Sequence, residues 1–258
     1  RDSSSARTGC RSARRSESRL MSMGDPLLGK RSAHSISRRQ VLFALLGLAG
    51  LGVSSMVFGR AVRDPCPTTP RQTAGPSYPP RTQLEAQLDK DNDLTRVIGR
   101  PGRAKGQIIY VMGQVRDNQC RSIEDAEVEI WQASENGRYH HPRDEGNPAP
   151  LDLHFQYWGK TLTDKEGRYL FKTIKPGACL AGPGWIRPPH IHFKVRHPRF
   201  PEMTTQMYFA GDPHQATDYI LSDVPRDTRD QVIVTLEQPG GDYEPEARIA
   251  RFNLTLLS

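Results

Sequence analysis

From Gln107 onward the chain reads as short runs of alternating apolar and polar residues: QIIYVMGQV from Gln107, AEVEIWQA from Ala126, GRYLFKTI from Gly167, HIHFKV from His190, TTQMYF from Thr204, QVIVTLE from Gln231 and ARIARFNLTLL from Ala247. A period of two puts every second side chain on the same face of an extended strand. Turn residues separate the runs, at Asp117 and Asn118, from Asp164 to Gly167, and at Pro176 and Gly177. No long run follows the 3.6-residue helical period. The pattern predicts an all-β fold over residues 106–258, an antiparallel sandwich or barrel. Residues 65–105 are rich in Pro, Thr and polar side chains and lack a sustained apolar period, which predicts a linker or an irregular N-terminal arm laid over the body. Such a sandwich serves adhesion, binding and catalysis alike, so function has to be read from a site.

Residues 1–64 follow a different grammar. Ser37, Arg38, Arg39, Gln40, Val41, Leu42 and Phe43 lead into an uncharged apolar run ending at Phe58, an arginine pair before a modest hydrophobic stretch. This is the form of a twin-arginine export signal, and it predicts a periplasmic or extracellular protein handled by the export machinery. The run of 18 residues from Val41 to Phe58 is at the lower limit for crossing a bilayer, so a retained membrane anchor is the rival reading. Residues 1–20 precede Met21 and Met23 and are set aside as upstream sequence.

The leader also carries the charge. The whole chain has a formal net charge of +7, but residues 1–64 contain 12 Lys/Arg against 4 Asp/Glu, which leaves 24 basic and 25 acidic residues for the rest. The body is balanced and has no basic footprint for nucleic acid. Beyond the leader stand Cys66, Cys120 and Cys179, enough for one intramolecular disulfide, with Cys66–Cys120 the expected pair. The absence of a CxxC pair argues against a zinc ribbon or a thioredoxin-like redox site.

Candidate chemistry concentrates in RPPHIHF, residues 187–193. In a strand, His190 and His192 project side by side as two imidazoles able to grip one metal ion, and Pro188 and Pro189 place them at the strand's start. Alone, HxH is equally compatible with one packed and one solvated histidine. Three further segments bear on it: EIWQASENGRYHH from Glu129, PLDLHFQYWGKTLTDKEGRYLFKTIKPG from Pro150, and TTQMYFAGDP from Thr204.

Together, and with TAGPSYP at Thr73, these blocks resemble the intradiol ring-cleavage dioxygenases, most closely those of the protocatechuate 3,4-dioxygenase beta-chain type, over roughly residues 73–255. The resemblance implies a β-sandwich with a prealbumin-like core, a non-haem Fe(III) cofactor held by two histidines and two tyrosines, and ring opening of a catechol-type, protocatechuate-like substrate by O2 to a muconate-type dicarboxylic acid. Phenolate oxygens are hard donors that suit Fe(III), and imidazoles complete the shell. Carried over residue by residue, the metal ligands fall on Tyr139, His190 and His192, and the active-site arginine and glutamine fall on Arg187 and Gln206. The second tyrosine does not carry over: Lys175, Pro176, Gly177 and Ala178 lead to Cys179. Because that tyrosine is the ligand expected to leave the metal and accept a substrate proton, its loss implies slower substrate binding.

Other readings remain beside this one. Tyr139 also reads as a packed loop aromatic, Arg187 as a partner of a surface carboxylate and Gln206 as an ordinary strand residue, while Cys179 reads as a small buried thiol or as a thiolate ligand to the iron. Trp131 and Trp185 are read as core or rim aromatics, and His140, His141, His154, His197 and His214 are given no role. The alternatives for the whole chain are a catalytically disabled member that pairs with a related subunit, favoured by Cys179, and a non-enzymatic prealbumin-like or carbohydrate-binding module, disfavoured by HIHF. A homo-oligomer is the other expected assembly.

Overall fold

Strand β1 (Ile108–Asp117) anchors the first of two five-stranded sheets in this computed structural model, which describes residues 65–87 and 89–257; the leader and its twin-arginine motif lie outside them. β1 pairs antiparallel with β4 (Arg168–Ile174) along one edge, and parallel with β11 (Arg248–Arg251) and then β12 (Leu254–Leu256) along the other. β10 (Leu236–Glu237) closes this sheet against β11. The second sheet runs in the order β3 (Trp158–Leu162), β2 (Glu127–Gln132), β7 (His190–His197), β8 (Phe200–Phe209), β9 (Ile233–Val234). A two-stranded hairpin of β5 (Cys179–Gly182) and β6 (Trp185–Arg187) stands apart from both.

The expected all-β sandwich is the fold observed, with parallel pairings at β1–β11, β1–β12 and β8–β9 among the antiparallel ones. Two apolar runs break where a single strand is expected. QVIVTLE divides at Thr235, so that β9 joins the second sheet and β10 the first. The last run divides at Phe252 and Asn253 into β11 and β12. There the Phe252 carbonyl accepts from Tyr169 Oη and sits where a side chain at Gly113 of β1 would begin, with only 1.8 Å between that oxygen and an ideal Cβ.

Alternation sends Ile109, Val111 and Val115 of β1 and Phe171 of β4 inward to meet Val128 and Ile130 of β2, Ile191, Phe193 and Val195 of β7, and Met207 and Phe209 of β8. Burying each such side chain contributes about 1.5–3 kcal/mol. β2 and β7 are buried on both faces, unlike a simple half-exposed strand. The reason is an arm that starts at Cys66 beside β12 of the first sheet and from Gln72 to Tyr78 crosses β8, β7 and β2 of the second. A Cys66–Cys120 disulfide pins its start, Thr69 and Thr255 exchange hydrogen bonds, and the Gln72 amide donates to Thr204 O at 2.8 Å. At its far end Tyr78 stands edge-on to Trp131 and donates to Glu129. No helix among the described residues is long and apolar enough to cross a membrane.

Candidate metal centre

Strand register builds the site on that outer face. His190 and His192 share it because they are two residues apart, and their cross-strand partners share it too: Trp131 opposite His192 on β2, Gln206 opposite His192 and Tyr208 opposite His190 on β8. The arm covers this face from one side. The β5–β6 hairpin brings Cys179 and Arg187, a directly opposed pair, to the same place.

Tyr139 arrives from the loop after β2. A tight turn from Ser134 to Arg138, with Gly137 at φ +81°, reverses the chain, and the Asp144 carboxylate accepts from the Tyr139 amide at 2.6 Å. The phenol then points at the histidines. Tyr139 Oη lies 3.2 Å from His190 Nε2, which lies 3.2 Å from His192 Nε2. Such spacings are those of neighbouring donors on one first-row metal ion.

The protonation states suit such an ion. His190 Nδ1 lies 2.7 Å from the Pro188 carbonyl, which can only accept, so the ring hydrogen sits on Nδ1 and Nε2 presents its lone pair. Burial, and then the nearby Arg187 guanidinium, push the His190 imidazole down to about 3; burial and its two neighbours hold His192 well below the ordinary histidine range. Both rings are therefore neutral ligands at physiological pH. Burial, with the Cys179 thiol alongside, raises the Tyr139 phenol well above its usual range, so only a cation at this point would ionise it. His192 Nδ1 is buried with no hydrogen-bond partner; its ring is held instead by a parallel stack on Trp131, 4.7 Å between centroids and 9° between planes. Among the described residues no group of three His, Cys, Asp or Glu side chains converges, so the phenol has to supply the third donor. Two imidazole nitrogens and one phenol oxygen fit an iron ion by donor type and spacing.

Arg187 is the centre of a second network. Its Nε and Nη2 donate to the two oxygens of Asp218 at 3.0 and 3.1 Å, Nη2 also donates to Gln206 Oε1 at 2.8 Å and Tyr208 Oη at 3.2 Å, and Nη1 donates to His190 Nε2 at 3.1 Å. Gln206 is itself fixed, because its Nε2 donates to the Thr73 carbonyl of the arm. Cys179 is a free, buried thiol packed with Trp131, Tyr139 and Trp158, and burial pushes it up to about 11, so it is uncharged near neutrality. Burial accounts for the thiol without metal ligation.

The structure thus brings Tyr139, His190, His192, Arg187 and Gln206 together. Sequence reasoning missed three residues that hold them. Tyr208 was readable, two positions after Gln206 on the same face of a strand. Gln72 accepts from Tyr208 Oη at 2.8 Å but sits in an arm without periodicity. Asp218 looks in sequence like an ordinary helix cap, and it does accept from Leu221 N at the start of the short helix Tyr219–Ser222. Trp131, read as core or rim, is the plate under His192, while Trp185 packs against Tyr219.

A family model described as dioxygenase matches residues 73–257. The protocatechuate 3,4-dioxygenase beta chain of Burkholderia cepacia is 44% identical over 146 residues, 55% of this chain and 62% of that protein. Catechol 1,2-dioxygenase 2 of Acinetobacter lwoffii is 30% identical over 186 residues, 66% of this chain and 60% of that protein. The chain thus spans about three-fifths of the length of these curated relatives. Among solved structures, catechol 1,2-dioxygenase from Acinetobacter sp. ADP1 superposes with a TM-score of 0.54 at 25% identity, over 73% of this chain and 62% of that one.

Proposed function

The chain belongs to the intradiol ring-cleaving dioxygenases, and on that premise we propose that it is an Fe(III) enzyme that opens a catechol-type ring with O2 to a muconate-type dicarboxylic acid. The observation that carries this reading is the convergence of Tyr139 Oη, His190 Nε2 and His192 Nε2 at 3.2 Å spacings in a buried site. Ferric iron bound there would lower the hydroxyl pKa values of a chelated diol and draw electron density from its ring, opening a ring carbon to dioxygen.

The chain's own residues do the rest. Tyr139 supplies a hard anionic oxygen, and the two imidazoles supply neutral nitrogens. Arg187, braced by Asp218, Gln206 and Tyr208, points Nη1 at the donor cluster, where it offsets negative charge gathering on substrate oxygens. The arm and the β5–β6 hairpin keep bulk water from this face, which strengthens each of these interactions. Proton removal from the diol is the step this site handles differently. With Cys179 where relatives are expected to carry a second tyrosine, and its thiol uncharged near neutrality, the diol's protons leave to water or hydroxide. Substrate binding is slower for it.

In this reading residues 106–258 are the catalytic sandwich, residues 65–105 its arm, and residues 1–64 a twin-arginine leader to the periplasm or beyond. The Cys66–Cys120 disulfide supports an oxidising compartment. The name of the Burkholderia relative implies unlike chains, and pairing with a related subunit or a second copy is the corresponding assembly here. Cys179 favours a second reading, a disabled partner subunit.

Iron content and the visible spectrum before and after adding catechol in air separate the two. Stoichiometric iron, with a broad phenolate-to-iron band that changes on substrate addition and a ring-opened product, is the expected result. A colourless, iron-free protein after anaerobic loading and reoxidation would leave the partner-subunit reading in its place.

A further inference from the structure

Resting on the ring-cleavage reading, we propose that Gln72 of the N-terminal arm is a positioning residue for ring opening. By setting the direction of the Tyr208 hydroxyl, it aims the Arg187 guanidinium at the donor cluster. Arg187 Nη2 reaches Asp218 Oδ2, Gln206 Oε1 and Tyr208 Oη, at 3.1, 2.8 and 3.2 Å. The fork to Asp218 takes one Nη2 hydrogen, so Gln206 and Tyr208 share the other. That shared hydrogen keeps its direction only if both oxygens turn lone pairs towards it.

Tyr208 is the partner that can turn away, because a hydroxyl donates as well as accepts. Its Oη lies within reach of two amide oxygens, Gln72 Oε1 at 2.8 Å and Gln206 Oε1 at 3.3 Å. Burial raises the phenol above its usual range, so the proton stays on and points at one of them. Pointed at Gln72, it leaves Gln206 Oε1 to Arg187; pointed at Gln206, it competes with Arg187 for the same oxygen. Gln72 decides, because its amide cannot flip. Its Nε2 donates to the Gln206 carbonyl at 3.0 Å, which can only accept, and to Thr205 Oγ1 at 3.2 Å, whose own hydrogen goes to the Pro70 carbonyl. Gln206 is oriented in the same way by the Thr73 carbonyl, at 2.9 Å. Two neighbouring arm residues therefore set both oxygens beside Arg187 Nη2. The consequence falls on Nη1, which lies 3.1 Å from His190 Nε2, the lone pair an iron ion would take. With that contact taken, Nε and Nη2 fix the plane of the guanidinium, and a tilt about Nε moves Nη1 away from the substrate oxygens it serves.

Three variants test this in the iron-loaded full chain with catechol as substrate. Gln72→Met keeps the side-chain length and removes the acceptor, Tyr208→Phe removes the hydroxyl, and Thr69→Ala removes an arm hydrogen bond, to Thr255 N, outside this network. Gln72→Met and Tyr208→Phe are each expected to lower kcat about tenfold or more, with KM within about twofold of wild type. The double variant should fall no further than Tyr208→Phe alone. Thr69→Ala should keep the wild-type kcat, and chelator competition should find the same iron affinity throughout. In the iron-free protein, NMR should show the Arg187 Nη2 hydrogens exchanging with solvent faster in Gln72→Met than in wild type or Thr69→Ala. A folded Gln72→Met at wild-type kcat overturns the proposal, as does a double variant whose loss is the product of the two single losses. If Gln72→Met fails to fold, a folded Tyr208→Phe at wild-type kcat overturns it instead. Failure of the wild type to cleave catechol or 3,4-dihydroxybenzoate sinks the ring-cleavage reading itself, whereas unchanged Arg187 exchange in Gln72→Met sinks the positioning role whatever the substrate.

Discussion

Replacing Cys66 and Cys120 together by Ala should cost this protein about 4 kcal/mol of unfolding free energy. The bridge spans 54 residues, and closing a loop of that length removes about 14 cal/mol/K of entropy from the unfolded chain, or about 4 kcal/mol at 25 °C. The folded state loses little by comparison, because the arm keeps its hydrogen bonds from Thr69 to β12 and from Gln72 to β8. Urea unfolding of the oxidised protein and of the double variant, followed by tryptophan fluorescence, gives both the free energy and the slope. The slope should rise slightly, since an uncrosslinked unfolded chain exposes more surface. Hydrogen exchange at the Gln72 amide, bonded to Thr204 O at 2.8 Å, reports whether the arm stays docked. A loss under about 1 kcal/mol with the arm still docked would refute the loop-entropy argument and mean that the unfolded ensemble is already constrained in this region.

Gly113→Ala should destabilise by about 3 kcal/mol or more, because its Cβ would begin 1.8 Å from the Phe252 carbonyl oxygen and force β1 away from the β11–β12 break. Gly182→Ala, with nothing within 4 Å of the new Cβ, is the matched control for thermal unfolding and should be nearly neutral. Trp131→Leu removes the plate under His192 and should weaken iron binding about tenfold or more in a chelator competition, while Trp131→Phe retains most of it; equal losses in the two variants would argue against stacking as the positioning force. Glu244 predicts an acid limb of stability. Hydrogen bonds from Lys172, and then from Arg103, hold its carboxyl down to about 2, so the stabilisation is present above the unfolded value near 4.5 and is lost as pH falls towards 2. With the side chain 36% exposed, Glu244→Gln should cost no more than about 1 kcal/mol at pH 7, and the gap to wild type should close by pH 2 in parallel denaturation curves.

Period-two alternation was enough to find the strands that frame the site, since β1, β4, β7 and β8 follow it, and enough to put His190 and His192 on one face. It was not enough to say what lies across from them. Trp131 meets His192 only because β2 lies beside β7 in the sheet, a pairing between positions 61 apart that no local pattern encodes. The double burial of β2 and β7 depends on the arm, whose contacts run through backbone groups, glutamine and threonine side chains and the single ring of Tyr78, with no apolar period to announce them. Asp218 is the extreme case. Its local job, capping a four-residue helix, hides its distant one, pairing with Arg187 across 31 residues.

Cys179 can be placed in the same electrostatic account. It is opposed to Arg187 across the hairpin and packed against Tyr139, and burial keeps it protonated, so it contributes bulk without charge. The Gly137 turn fixes it there: a Cβ on Gly137 would lie 2.1 Å from the Ala178 carbonyl and 3.4 Å from Cys179 Cα, which leaves the two loops backbone to backbone. Before any ion binds, the donor cluster is then electrically neutral in every member, with two imidazoles, one phenol and one thiol, beside a single closed ion pair. A neutral cluster of lone-pair donors can be buried without an uncompensated charge, and a cation entering it gains Tyr139 as an anionic ligand by displacing one proton. A second tyrosine at position 179 would add another ionisable oxygen to the same pocket. With a thiol there instead, an ion entering the pocket would find less anionic charge, while the three convergent donors and the arginine that faces them stay in place.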